Sequence, residues 1–174
     1  MNLNKFIPKI YKKSVLDINY KKLKQKGIKC LIFDLDNTLA VIDENKVSIK
    51  IEELIKKIKK DFKVIVLSNN FRYRIKPICD MIDVAFIRFS MKPFSIGLKK
   101  VLKMYNLEKQ NVCIIGDQLV TDILCGNKFG IMTILVDPLS TKDLRITKIN
   151  RIIEKKIIKK INNKNILERG CYYE

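Results

Sequence analysis

LIFDLDNTLA, residues 31–40, sets two carboxylates, Asp34 and Asp36, one residue apart at the end of an apolar run that reads as buried strand. Burying one unpaired carboxylate is expensive, and a second beside it adds repulsion. The chain carries 36 Lys and Arg against 18 Asp and Glu, so acids set against a core strand need an offsetting partner.

Outward from this run, short β-rich apolar segments alternate with longer helical patterns, as in a parallel α/β sheet. Strands are expected over 30–34, 64–68, 84–89, 112–116 and 132–136, giving a mainly parallel five-stranded sheet. Between them, Ile51, Leu54, Ile55 and Ile58 form a core-facing stripe with Lys on the other side. Further helices are expected over 72–81, 96–105 and 119–129, the last stopped by Gly130. After Pro138 a helical pattern resumes from Lys142, with Ile146, Ile149, Ile153 and Ile157 on one face and Lys148, Arg151, Lys155 and Lys159 on the other. That basic face reads either as solvated or as interfacial, meeting anionic lipid.

At 174 residues the chain fits one domain. Residues 1–29 hold nine Lys and one Asp, and residues 142–174 hold ten Lys or Arg against four acids. The division expected is a basic N-terminal arm (1–29), a core (30–141) and a basic C-terminal helix and tail (142–174). No apolar run approaches the ~20 residues of a membrane-spanning helix, and the N-terminus lacks the apolar stretch of a signal peptide, so a cytoplasmic protein is expected. The five cysteines are widely spaced with no C-x-x-C, which suggests neither a disulfide framework nor a zinc site. There is no His, which excludes Ser-His-Asp and Cys-His nucleophile systems and imidazole–metal sites.

Open α/β sheets bind ligands outside the carboxyl ends of their strands. There the first strand offers Asp34 and Asp36, the second Ser68, the third is followed by Lys92, and the fourth by Asp117 and Asp122. Asp34, Asp36 and Asp117 make an oxygen-rich cluster suited to a hard divalent cation, Mg²⁺ foremost, which offsets the repulsion. Lys92 and the Ser68 hydroxyl supply a positive charge and a donor for phosphoryl oxygens, so the set reads as a phosphoryl-transfer site. The spacing assigns attack to Asp34 and proton exchange to Asp36.

These residues resemble the haloacid-dehalogenase (HAD) superfamily of aspartate-nucleophile phosphatases, whose four motifs occur in order as DLDNT (34–38), LSNN (67–70), KP (92–93) and GDQLVTD (116–122). With FIP at 6–8 and TKINR at 147–151 added, the chain looks like the YqeG-type branch of subclass IIIA, related to the mitochondrial phosphatidylglycerophosphate phosphatases. The resemblance implies a HAD-like Rossmannoid three-layer fold. It also implies that Asp34 forms an aspartyl-phosphate, and that Asp36 protonates the leaving oxygen and then activates water. Mg²⁺ would be held by Asp34, the backbone carbonyl of Asp36 and Asp117, with Asp122 supporting a metal-bound water or orienting Lys92. Thr38, Ser68, Asn69 and Lys92 would bind the substrate phosphate. The chain has no Trp, so an aromatic that some relatives carry after the first motif is replaced here by Val41–Ile42.

The gaps between Asp34 and Ser68 and between Ser68 and Lys92 are too short for the cap domain of HAD enzymes that act on small metabolites. An uncapped site can reach a phosphate on a large partner. The substrate expected is phosphatidylglycerophosphate at an anionic membrane surface, met peripherally through the basic ends. The alternatives are a protein, nucleotide or sugar phosphate, or a non-catalytic nucleic-acid-binding protein on this fold. Against nucleic acid stands the lack of interleaved aromatics in the basic ends. A receiver-type signalling module would need an Asp at the end of the third strand, and VAFIRFSMK has none.

Overall fold

Alternate residues of the strand that opens the motif face opposite ways: Leu31 and Phe33 join one core cluster, Cys30 and Ile32 another. A strand buried on both faces belongs inside a parallel α/β sheet. The computed structural model has that arrangement; it describes residues 3–88, 90–141, 145–162, 167–168 and 170–174, with the backbone alone for 145–149.

The elements in chain order are β1 (Ile10–Lys12), α1 (Tyr20–Gln25), β2 (Cys30–Phe33), α2 (Ile49–Ile58), β3 (Lys63–Leu67), α3 (Arg72–Met81), β4 (Ala85–Ile87), α4 (Ile96–Tyr105), β5 (Val112–Gly116), α5 (Leu124–Phe129), β6 (Met132–Val136) and α6 (Arg145–Asn162). All pairs are parallel, in the order β1-β6-β5-β2-β3-β4. One face of the sheet packs against α2 and α3 through Ile51, Ile55, Ile75 and Ile78. The other packs against α4 and α5 through Leu98, Val101, Cys125 and Phe129, which completes three layers. A third cluster, with Tyr11, Leu119, Leu135, Ile157 and Ile161, joins α6 to the β1–β6 edge.

The helices form for local reasons. Ser48 caps α2 by accepting from the Ile51 N–H, and every third or fourth residue behind it is buried. Gly130, at φ +81°, ends α5 in the left-handed conformation expected at that stop.

Among the described residues six strands replace the five expected. The additional one, β1, lies within the segment read as a basic arm and pairs with β6 through Ile10–Ile134 and Tyr11–Leu135. Three residues of IYK carry too little periodicity to register as strand. β4 is shorter than expected, and Phe89, expected at its end, lies outside the described residues. The expected 119–129 helix is divided into a π-helical turn, Leu119–Ile123, and α5.

In α6 the inward face differs from the expected one. Ile157 and Ile161 are buried together with Glu154, while Ile153 is 45% exposed and Arg151 turns toward the sheet. Lys142 and the side chains of Ile146, Lys148 and Ile149 lie outside the described residues. Among the described residues no helix is long and apolar enough to cross a membrane.

Candidate active site

β2 and β5 are hydrogen-bonded neighbours, and from them the chain winds outward in opposite directions, through β3 and β4 on one side and β6 on the other. This is the switch point at which open sheets leave a crevice. Asp34, whose N–H still donates to Ile115 O (2.9 Å), stands at the end of β2, and Asp117 at the end of β5. Beyond Asp34 the chain coils tightly: the N–H groups of Leu39 and Ala40 donate to Leu35 O (2.9 and 3.0 Å). Asn37 takes φ +61° there, a conformation Asn tolerates better than most residues.

The crevice holds a buried charge network. Lys92 Nζ donates to Asp34 Oδ1 and Asp122 Oδ1, both at 2.6 Å. Asp122 also accepts from the Gln118 N–H (3.2 Å), so it orients the lysine. Asn69 fastens the Lys92 loop by donating to Lys92 O (2.9 Å) and accepting from the Lys92 N–H (3.0 Å) and the Ser90 hydroxyl (2.6 Å). Ser68 Oγ accepts from the Asn70 N–H (3.1 Å), which leaves its own O–H to donate elsewhere. Gly116 makes room for Asp122, because a Cβ there would meet its carboxylate at 2.3 Å.

Burial pushes the Asp34 carboxyl well above the usual carboxylate range; Lys92 opposes that, and Asp122, Asp117 and Asp36 add to it. Burial likewise pushes Asp117 up to about 7, against the pull of Arg151. For Lys92, burial alone would lower the pKa, but the carboxylates of Asp122 and Asp34 raise it, so it stays an ammonium.

Of the residues expected from sequence, Asp34, Asp36, Ser68, Asn69 and Lys92 line one pocket, together with Asn70, Phe71, Gln118, Thr121 and Asn150. Thr38 is buried and donates to Asp117 Oδ1 (3.4 Å) instead of lining that pocket. Carboxylate oxygens of Asp34, Asp117 and Asp122 lie within 4.8 Å of one another. Asp36 is turned toward α3, where Arg74 Nε (3.0 Å) and Asn70 Nδ2 (3.0 Å) donate to it.

Among the described residues, Lys92, Arg74 and Arg151 serve this cluster, and from sequence neither arginine is expected beside it. Arg74 is buried and also donates to the carbonyls of Val41 (2.8 Å) and Glu44, which ties the loop after the first motif to Asp36. Arg151, read from sequence as part of a basic face, donates to the carboxylate and the carbonyl of Asp117 and pairs with Glu154 (3.1 Å). Glu154 in turn accepts from the Leu119 and Val120 N–H groups that open the π-helical turn. The quoted LSNN and TKINR motifs contain Asn70, Asn150 and Arg151, whereas Arg74 and Glu154 carry no sequence signal.

Among the described residues, the carboxyl groups of Asp34, Asp36, Asp117, Asp122 and Glu154 stand beside the cations Lys92, Arg74 and Arg151, so carboxyl groups outnumber cations in low dielectric. A donor set of carboxylate oxygens with that surplus fits one hard divalent ion.

The family described as "Mitochondrial PGP phosphatase" matches residues 1–140. A Bacillus subtilis (strain 168) protein named "Probable phosphatase YqeG" is 34% identical over 164 residues, covering 94% of this chain and 95% of that protein. An Arabidopsis thaliana protein, "Phosphatidylglycerophosphate phosphatase 1, chloroplastic/mitochondrial", is 27% identical over 77% of this chain, which spans 41% of the plant protein. Among solved structures, a haloacid-dehalogenase-like family hydrolase from Xanthomonas campestris superposes with a TM-score of 0.55 at 10% identity, covering 79% of this chain and 95% of its own, a likeness of fold. With 34% identity sustained over nearly its whole length and the family match spanning β1 through β6, the chain, whose fold is HAD-like, belongs to the mitochondrial PGP phosphatase family and is a phosphoric monoester hydrolase.

Proposed function

We propose that the chain removes the terminal phosphate of phosphatidylglycerophosphate through an aspartyl-phosphate on Asp34. The observation that carries the mechanism is the buried Asp34 carboxylate at the switch point with the Lys92 ammonium 2.6 Å from it. An Asp34 oxygen attacks phosphorus, the bond from phosphorus to the ester oxygen breaks, and the departing oxygen takes a proton from Asp36, which enters this step in its neutral form and leaves it as the carboxylate that Arg74 and Asn70 hold. Asp36, now a carboxylate, accepts a proton from water as the water oxygen attacks phosphorus. The bond to Asp34 then breaks and inorganic phosphate leaves. Lys92 and the Ser68 hydroxyl bind phosphoryl oxygens, with Asn69 fastening the Lys92 loop, and Asp122 keeps the lysine aligned. Thr38 acts one step back, through its bond to Asp117. Asp34, Asp117 and Asp122, with the Asp36 carbonyl, would hold a Mg²⁺ ion, which when bound spreads the negative charge of the transferring group.

Two observations favour a lipid over a small metabolite. Only α2 with its flanking loops separates β2 from β3, and only α3 separates β3 from β4, so neither connection carries an inserted domain over the pocket. The related plant protein is named for phosphatidylglycerophosphate. The net charge of +18 favours a peripheral stay on anionic membrane, at roughly 1 kcal/mol for each basic residue near the surface. The test is hydrolysis of phosphatidylglycerophosphate in anionic vesicles beside soluble sugar and nucleotide phosphates, with acid-quenched trapping of phosphate on Asp34. The lipid should be the preferred substrate and should yield a labelled Asp34. Faster turnover of a soluble ester, with no sedimentation on anionic vesicles at low salt, would leave a general phosphatase.

A further inference from the structure

A second cavity, of about 570 Å³, adjoins the catalytic pocket and shares Asn69, Lys92, Thr121 and Asn150 with it. Its character is different. Phe6, Val120 and Ile157 form a buried apolar floor, and Ile153 adds an apolar wall that is 45% exposed. The polar part of its lining includes Lys156 and Lys160, one turn apart on α6. Residues four apart share a helix face, so both ammonium groups reach the same edge of the cavity. Lys156 and Lys160 make no ion pair with any described residue, unlike Arg151 on the same helix.

An apolar floor, two ammonium groups without an ion pair among the described residues, and a wall of Asn69, Lys92, Thr121 and Asn150 shared with the pocket that Asp34 lines together define what fits. A sugar phosphate offers hydroxyls where the cavity offers hydrocarbon, and leaves the two lysines unanswered. We propose that this cavity is the leaving-group subsite: it takes a phosphomonoester whose alcohol bears a second, internal phosphodiester anion and apolar chains. The terminal phosphoryl group lies at Asp34, the inner anion at Lys156 and Lys160, and the start of the chains along Ile153, Ile157 and Phe6. The inference rests on the phosphatase reading of Asp34 given above and specifies what that site recognises beyond the phosphoryl group. It also gives α6 a role that the match over residues 1–140 does not contain.

Three soluble probes separate the contributions: glycerol 3-phosphate, its deacylated bisphosphate counterpart glycerophosphoglycerophosphate, and dihexanoyl phosphatidylglycerophosphate below its micelle concentration. For the unmodified chain, kcat/KM should rise by roughly tenfold or more from the first probe to the second, and again to the third. In K156Q/K160Q the preference for the second probe over the first should fall by roughly tenfold, chiefly through KM, while K156R/K160R should keep it. Ile153→Ser should lower the preference for the third probe over the second. An unmodified chain that turns over glycerol 3-phosphate as fast as the bisphosphate overturns the subsite and leaves the phosphatase reading standing. So does a glutamine pair that leaves the preference intact. Failure to hydrolyse any of the three overturns both.

Discussion

At the scale of single residues, Asp34 sets a carboxyl group in a buried position, where burial raises its pKa and only a counter-charge favours the anion that attack requires. Lys92 at 2.6 Å makes this tolerable, and the neighbouring Asp117 and Asp122 make it costly. Asp34→Asn should therefore abolish turnover while leaving thermal stability equal or higher, since it relieves repulsion without creating a cavity. Steady-state hydrolysis and a melting curve on the same preparation check this. Asp36→Asn should slow the reaction by roughly 10²–10⁴, the range for loss of a positioned acid–base, with the smallest effect on esters of acidic alcohols such as p-nitrophenol. Arg74 holds Asp36 and the 41–44 loop with a fork that Lys cannot reproduce. Arg74→Lys should lower kcat more than it raises KM, and Arg74→Ala should in addition cost about 3 kcal/mol in urea unfolding, because it leaves buried acceptors and a largely buried carboxylate without their partner.

At the scale of elements, α6 is joined to the end of β5 by polar contacts as well as by Ile157 and Ile161. Glu154 accepts the N–H groups of Leu119 and Val120, and Arg151 links Glu154 to Asp117. The helix thus stabilises a π-helical turn whose Asp122 orients Lys92. Glu154→Ala should cost about 1–3 kcal/mol, the penalty for buried donors without an acceptor, and should lower kcat even for small esters. Glu154→Gln, which keeps one acceptor oxygen, should recover most of the stability. Urea titrations of the three proteins, run beside their rates on p-nitrophenyl phosphate, distinguish the cases.

At the scale of the whole molecule, the described residues gather more carboxyl groups than cations at the carboxyl end of the sheet, and the oxygens of Asp34, Asp117 and Asp122, within 4.8 Å of one another, set an expected dependence on a divalent ion. Chelation should remove activity, and Mg²⁺ should restore it better than Ca²⁺, whose larger and looser coordination lets carboxylates bind in a two-oxygen mode and spoils the attacking geometry of Asp34. Initial rates across a metal series after exhaustive dialysis against chelator check this; full rates in excess chelator would refute the assignment. The chelated protein should still melt cooperatively, because Lys92, Arg74 and Arg151 already neutralise part of the cluster.

The sequence by itself determined the α/β class, five of the six strands among the described residues, and the residues that follow the strand ends from Asp34 to Asp122. The reason is that an apolar run ending in acids, hydroxyl or lysine is a local pattern, and parallel strands bring their carboxyl ends together without further instruction. Tertiary structure alone decided the rest. β1 is three residues long, and pairing with β6 makes it a strand where IYK alone has no period. Arg74 sits on α3 among polar neighbours, and Arg151 on a helix whose Lys-rich pattern reads as solvated face. Each becomes part of the site only because a carboxylate more than thirty residues away needs a counter-charge that burial denies it from water. The lysines of the adjoining cavity were placed by packing alone: their spacing on α6 is written in the chain, but the contact of Ile157 and Ile161 with Leu119 and Val120 sets them on the cavity that Lys92 also lines.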